Sequence, residues 1–197
     1  RQSDSTQYFN SKSEETKKQE TLEEKKERFW KEAKAIAQDA DEVIFVGGLS
    51  HDFDTEGADR AGMELPYGQD EIIEKLCDVN PNTVVVMFAG SPVKMPWKER
   101  VKAILWSYYS GMEGGTAIAE VLYGDVNPSG KLAETMPKSL EQCSAHSIGT
   151  FGNKDVVKFS EGVMVGYRHY DTVGAEVHFP FGHGLSYTTF DFSDLQV

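Results

Sequence analysis

Val43-Ile-Phe-Val-Gly47, followed by Gly48-Leu-Ser-His-Asp-Phe-Asp-Thr-Glu-Gly-Ala-Asp-Arg60 and Ala61-Gly-Met-Glu-Leu-Pro66, decides the fold of this chain. A short apolar run closed by two glycines reads as a buried strand. The stretch after it is a long loop that places His51, Asp52, Asp54, Glu56, Asp59 and Arg60 within ten positions. Four carboxylates that close repel one another unless they are paired, hydrated or metal-bound.

On the N-terminal side of this strand, Phe29, Trp30, Ala33, Ile36, Ala37 and Ala40 recur at helical spacing, which predicts an amphipathic helix running into Val43. On the C-terminal side, Ile72, Ile73, Leu76 and Val79 mark a second helix over Gln69 to Val79, stopped by Asn80-Pro-Asn82. Thr83-Val-Val-Val-Met-Phe88 has no polar alternation and reads as a strand covered on both faces. A further strand is expected from Ala103 to Tyr109, and a helix from Glu113 to Tyr123 that Gly124 caps. Strands alternating with helices give βαβ units and a mostly parallel sheet, with helices on both sides in a three-layer α/β/α sandwich. Ligands in such sheets sit beyond the carboxyl ends of the strands. All three predicted strands end in glycine-bearing loops, at Gly47-Gly48, Gly90 and Gly111, which are expected to face one crevice.

Past Asn127-Pro-Ser-Gly130 the pattern loosens. Leu132 to Pro137 reads as a short extended piece, and Glu141 to Lys158 as a polar excursion with no clear period. Tyr187 to Val197 alternates apolar and polar residues, as one β-strand does, and a lone strand requires the rest of a β-domain.

Composition narrows the function. At 197 residues with 39% hydrophobic residues, the chain suffices for one core and is too short for two large ones. Its formal net charge of -12, with no basic patch, disfavours nucleic acid as a partner. No stretch approaches the ~20 apolar residues of a membrane span, and no signal-peptide pattern is present. Cys77 and Cys143 lie too far apart for a disulfide framework or a metal knuckle and read as free thiols. Charge nearly cancels through Lys34, so the acidity belongs to the part expected to fold, while residues 1–32 read as a charged linker or helix.

Three chemistries suit the loop after Gly48. Asp52-Phe-Asp54-Thr-Glu56-Gly57 imitates the start of a calcium loop, but the twelfth position, which must supply the closing carboxylate, is Met63. A nucleotide site would need a third glycine and a helix opening on the loop, and Gly47-Gly-Leu-Ser-His-Asp52 offers neither. In the third reading one carboxyl group, with Glu56 beside flexible Gly57 best placed to reach a cleft, is a general acid/base, and Asp59 and Arg60 pair to hold the loop.

A resemblance adds to this. Glu56-Gly-Ala-Asp-Arg60, Leu65-Pro66, Gly111-Met-Glu-Gly-Gly115, Asn127-Pro-Ser-Gly-Lys-Leu132, Thr135-Met-Pro137, Glu161-Gly-Val-Met-Val-Gly-Tyr-Arg168 and Phe179-Pro-Phe-Gly-His-Gly-Leu-Ser-Tyr187 occur in this order. Together they closely resemble the second, α/β-sandwich domain of glycoside hydrolase family 3, the β-glucosidase and β-xylosidase family, from about Ala33 to the end. The resemblance implies a retaining glycosidase acting on β-linked saccharides without cofactor or metal. A (β/α)8 barrel domain outside this chain would carry the nucleophilic Asp, and Glu56 would be the acid/base. Retention needs the two carboxyl groups ~5 Å apart. His51, Asp52 and Phe53 would line the aglycone side as substrate-binding residues, and Asp59 and Arg60 would support the loop. Residues 1–32 would be the end of an inserted domain, 33–178 the sandwich domain, and 179–197 the start of a fibronectin type III-like domain. The alternative is a stand-alone, non-catalytic carbohydrate-binding or interaction module. Trp97, Trp106, Glu113 and His183 are expected in structural roles, while Glu161 and Arg168 either shape the outer wall of the site or pair.

Overall fold

The computed structural model of the chain describes residues 20–149, 151–152 and 155–197. The expectation of a linker over the first 19 residues lies outside them. The described residues fall into two units, one ending at Ile36 and the other running from Ala37 to Val197.

The first unit is most of helix α1, Leu22–Asp39. Its start is a reciprocal capping box: Thr21 N–H donates to Glu24 Oε2 at 2.8 Å, and Glu24 N–H donates to Thr21 Oγ1 at 3.2 Å. Lys26–Glu23 and Arg28–Glu32 ion pairs follow at helical spacing.

The second unit is built on a three-stranded parallel sheet in the order β1-β2-β3: β1 Val43–Gly48, β2 Thr83–Phe88 and β3 Ala103–Trp106. Register is set by Val43 opposite Thr83 and Val84 opposite Ala103. Helix α2, Gln69–Val79, joins β1 to β2, packs on β1 and buries Ile73, Leu76 and Cys77. The parallel α/β organisation read from the alternation of periods is therefore observed, with α2 in its expected bounds. Asn80 fixes its end: the side chain donates to the Ala37 and Ala40 carbonyls and accepts from Asn82 N–H.

β2 is the central strand and is covered on both faces, with Val85, Val86 and Met87 fully buried. β1 departs from the expected fully buried strand. Among the described residues it is an edge strand, and Ile44 and Val46 are exposed on the face away from Phe45. β3 is shorter than expected because Tyr108 adopts a left-handed backbone, φ 52°. Helix α3, Gly114–Tyr123, ends on Gly124 in the left-handed conformation at φ 81°, as the sequence predicts.

The core gathers Leu49, Leu65, Ile73, Val85, Met87, Val93, Met95, Trp97 and Met136. Trp97 is fully buried, and its indole N–H donates to Asp70 Oδ1 at 2.8 Å. Leu132 to Met136 is extended, as expected, and its partner is the segment 178–183. Leu132 and Met136 N–H donate to the His183 and Phe179 carbonyls, and Gly182 and His178 N–H donate back. Two short helices, α4 (Ser144–Ser147) and α5 (Tyr167–Val173), occupy a region where no helical period is visible.

The strand expected over Tyr187 to Val197 does not form among the described residues. Tyr187 is held, its hydroxyl donating to the Val121 carbonyl at 2.7 Å and its N–H to Asn127 Oδ1 at 2.8 Å. Beyond it Phe192 and Leu195 are exposed, since an extended segment with no neighbouring strand leaves its ladder groups to water.

Candidate functional site

Gly48 ends β1 in a conformation with φ 139°, and a Cβ placed there would lie 1.8 Å from the Phe88 carbonyl oxygen. Only glycine fits between the two strand ends. The Gln69 side chain then seals the exit: its Oε1 accepts from Gly48 N–H, and its Nε2 donates to the Gly48 carbonyl, both at 2.8 Å, and also to the Pro66 carbonyl. The loop that leaves Gly48 is rooted at both ends by buried Leu49 and Leu65, with Met63 buried just before the second root.

Between those roots the chain makes two turns. Phe53 and Asp54 N–H donate to the Ser50 carbonyl at 2.9 Å, folding His51 and Asp52 onto an exposed bend. Thr55 then pairs antiparallel with Ala58, so Glu56 and Gly57 are the two tip residues of a tight turn, with Gly57 at φ 82°. Glu56 is exposed and makes no hydrogen bond or ion pair with the described residues.

The turn is anchored on both flanks. Asp54 Oδ2 accepts from the Tyr109 hydroxyl at 2.7 Å and from Gly90 N–H at 3.1 Å. Burial and the neighbouring Asp54 carboxylate hold the Tyr109 phenol above its ordinary range, which keeps it a donor. On the other flank, Arg60 Nη2 donates to Ser91 Oγ at 3.0 Å and to the Pro92 carbonyl at 2.8 Å. Its Nη1 is buried and has no partner among the described residues. The expected Asp59–Arg60 pair is not formed among the described residues. Arg60 turns instead toward the loop after β2, where Ser91 and the Pro92 carbonyl take its guanidinium.

These anchors bring the three strand-end loops together, as the parallel sheet predicts. Beside them lies a cavity of about 690 Å³. Phe53, Asp54, Asp59 and Arg60 line one wall, and Glu134, Tyr167, Arg168 and Phe181 are among the residues of the other. Phe53 also packs on the core and meets Tyr67 edge-on at 5.3 Å. His51, Asp52 and Glu56 do not line this cavity. Of the six candidate residues, the fold therefore gathers Phe53, Asp59 and Arg60 at one cavity wall and leaves the other three on the exposed loop.

Sequence reasoning missed three contributors. Asp54 appeared only as an oxygen at calcium-like spacing, and the structure commits that oxygen to Tyr109 and Gly90. Tyr109 had no signal beyond its place at the end of an expected strand. Glu134 is half-buried in the cavity wall, and burial first, then the Asp54 charge, pushes its carboxyl upward. Tyr170, whose hydroxyl contacts Cys143 Sγ at 3.5 Å, is likewise pushed up, chiefly by burial. Glu161 and Arg168 do not pair among the described residues: Glu161 Oε2 is buried without a partner, and Arg168 lies over the Tyr167 ring at 5.7 Å. His183 sits in a turn, its N–H bonded to the Pro180 carbonyl and its ring stacked on Phe179.

A parallel α/β domain with its acidic loop and cavity at the carboxyl ends of the strands has the architecture of a ligand-handling α/β domain. The chain belongs to the glycosyl hydrolase family 3 C-terminal domain family, whose pattern it matches over residues 3–187. Thermostable beta-glucosidase B of Acetivibrio thermocellus is 48% identical over 166 residues, which are 84% of this chain and 22% of that protein. Probable beta-glucosidase I of Aspergillus flavus is 49% identical over 160 residues, 81% of this chain and 19% of that one. Among solved structures, a β-glucosidase from Kluyveromyces marxianus in complex with glucose superimposes with a TM-score of 0.82 at 39% identity, covering 90% of this chain and 21% of the other. A β-glucosidase from Streptomyces venezuelae in complex with D-glucose gives 0.79 at 39% identity, covering 86% and 22%. The chain thus spans about a fifth of the length of the relatives it matches.

Proposed function

We propose that this chain carries the general acid/base of a retaining exo-acting β-glycosidase of β-glucosidase type, that Glu56 is that residue, and that the nucleophilic Asp lies on a (β/α)8 barrel domain outside the chain. Residues 33–178 form the acid/base domain in this reading. The observation that carries it is the presentation of Glu56. Glu56, the carboxylate at the tip of the 55–58 turn, is exposed and held out from the domain by anchors on both sides, with no partner among the described residues. A carboxyl group of a self-contained surface loop has no need of such a mount. One that must meet a substrate bound to another domain does.

In the first step the Asp carboxylate attacks the anomeric carbon while Glu56 gives its proton to the departing glycosidic oxygen. In the second, the Glu56 carboxylate takes a proton from water as that water displaces the Asp from the sugar. Phe53, packed against the core and lining the cavity, offers the aglycone an apolar contact, and His51 and Asp52 on the adjoining bend are its polar counterparts.

The test is Glu56→Gln in the full-length enzyme. Hydrolysis of alkyl β-glucosides, whose leaving groups need the proton, should fall ~10²- to 10⁴-fold. Cleavage of the glycosidic bond in activated aryl glucosides should change far less. Azide, a nucleophile that needs no base, should restore turnover and yield the β-glycosyl azide. Equal loss on both substrate classes without azide rescue overturns the assignment.

A further inference from the structure

The geometry points to Asp54 as the positioning residue of the acid/base, acting with Tyr109 and Gly90 as one anchor. The inference rests on the reading of Glu56 as acid/base and adds a residue to it.

Asp54 lies two positions before Glu56, at the foot of the turn closed by the Thr55–Ala58 pair. A two-residue tip moves as a rigid extension of its foot, so fixing residue 54 fixes the direction in which residue 56 is presented. One oxygen of Asp54 does this fixing. Its Oδ2 receives the Tyr109 hydroxyl, from the loop after β3, and the Gly90 N–H, from the loop after β2. The anchor therefore ties the loops of all three strands at one atom. A hydroxyl and an amide N–H donating to an ionised carboxylate are charge-assisted bonds, stronger than neutral ones.

Two further observations bear on it. Gly90 is packed so closely that a Cβ there would lie 2.8 Å from the Tyr109 ring and 2.9 Å from Asp54 Oδ2, so any other residue would have to displace one member of the anchor. The second flank, Arg60 on Ser91 and Pro92, lands on the loop that also holds Gly90. Both feet of the turn thus stand on residues 90–92. The Oδ2 of Asp54 is committed to this anchor. Its part is to hold the Glu56 turn, and misplacement of a reacting group by ~1 Å is enough to lower a rate about 10²-fold.

The test compares Asp54→Ala, Asp54→Asn and Tyr109→Phe with Glu56→Gln in the full-length enzyme, each on an alkyl and an activated aryl β-glucoside. Asp54→Ala should slow the alkyl substrate ~10- to 10²-fold and the aryl substrate much less. Tyr109→Phe removes only the hydroxyl, keeps the ring and should show the same selectivity to a smaller degree. Asp54→Asn, whose amide oxygen accepts both donors, should recover most of the loss. Asp54→Ala combined with Glu56→Gln should be no slower than Glu56→Gln alone, because a misplaced acid and an absent one fail at the same step. Equal loss on both substrates from Asp54→Ala and Tyr109→Phe, or losses that multiply with Glu56→Gln, overturns the inference while leaving Glu56 in its role. If Glu56→Gln itself shows no dependence on leaving group, the acid/base reading fails, and the anchor has nothing to position. Should Asp54→Ala fail to fold, Tyr109→Phe alone decides between these outcomes.

Discussion

Gly48 is the residue on which the loop depends sterically. Its backbone conformation is one that side-chain-bearing residues rarely adopt, and the space its Cβ would take is held by the Phe88 carbonyl. Gly48→Ala must therefore move β1 away from β2 or break their ladder. It should destabilise the domain by more than about 4 kcal/mol, the range reached only by severe core or backbone disruption. Urea denaturation followed by tryptophan fluorescence would measure this, and a loss below ~1 kcal/mol would contradict the packing described. Glu134 gives a prediction with a sign. Burial raises its carboxyl in the folded state, so the stability associated with its neutral form is present below the unfolded carboxylate range and lost as pH rises through the folded value. Glu134→Gln removes that loss. Its melting temperature should exceed that of the parent by a few degrees at pH 7 and by little or nothing at pH 4. At this scale the sequence was legible where geometry is local, as in the tight turn that Gly57 permits at the loop tip. Asp54 was not, because its partners stand 36 and 55 positions away and spacing says nothing of such contacts.

At the scale of elements, the helices and strands that a core demands were legible. α2 occupies its predicted range because its apolar period and the Asn80-Pro-Asn82 stop agree. β2 reads as covered on both faces and is. β1 opens on an equally apolar run, Val43 to Val46, but lies at the edge of the sheet among the described residues, and a strand's rank in its sheet is not written in its own residues. β3 ends early at a left-handed tyrosine, a conformation that a non-glycine sequence does not announce. α5 is too short, at seven residues, to leave a period. The C-terminal alternation from Tyr187 to Val197 was the reverse case, a strand pattern that pairs with no strand among the described residues. Deleting residues 188–197 should therefore shift the melting temperature by less than about 2 °C, since a surface change away from buried groups falls within ±0.5 kcal/mol. Calorimetry of the truncated chain would show it. Deletion from Tyr187 onward should do more, because it also removes the bonds to Val121 and Asn127.

At the scale of the molecule, fold and site belong together because a parallel sheet delivers all its strand ends to one side. That rule brought the loops after β1, β2 and β3 into one place before any contact was known, and the Asp54 anchor is its realisation in atoms. What the rule leaves out is how much of an active site one such domain holds. The proposed acid/base faces outward, and the proposed nucleophile belongs to another part of the polypeptide.

The Gln69 clamp has a last consequence, for solubility. In β1 the residues that bond β2 are those of the Val43 to Leu49 alternation, so Ile44, Val46 and Gly48 turn their peptide groups to the open rim of the sheet. A rim left unpaired among the described residues, with apolar neighbours such as Ile44 and Val46, is a template on which stray chains add and aggregates grow. Gln69 occupies both peptide groups of Gly48 as a strand would, which leaves an incoming chain a foothold of only two residues. The side chain that closes the loop's exit thus also shortens the edge that aggregation would use.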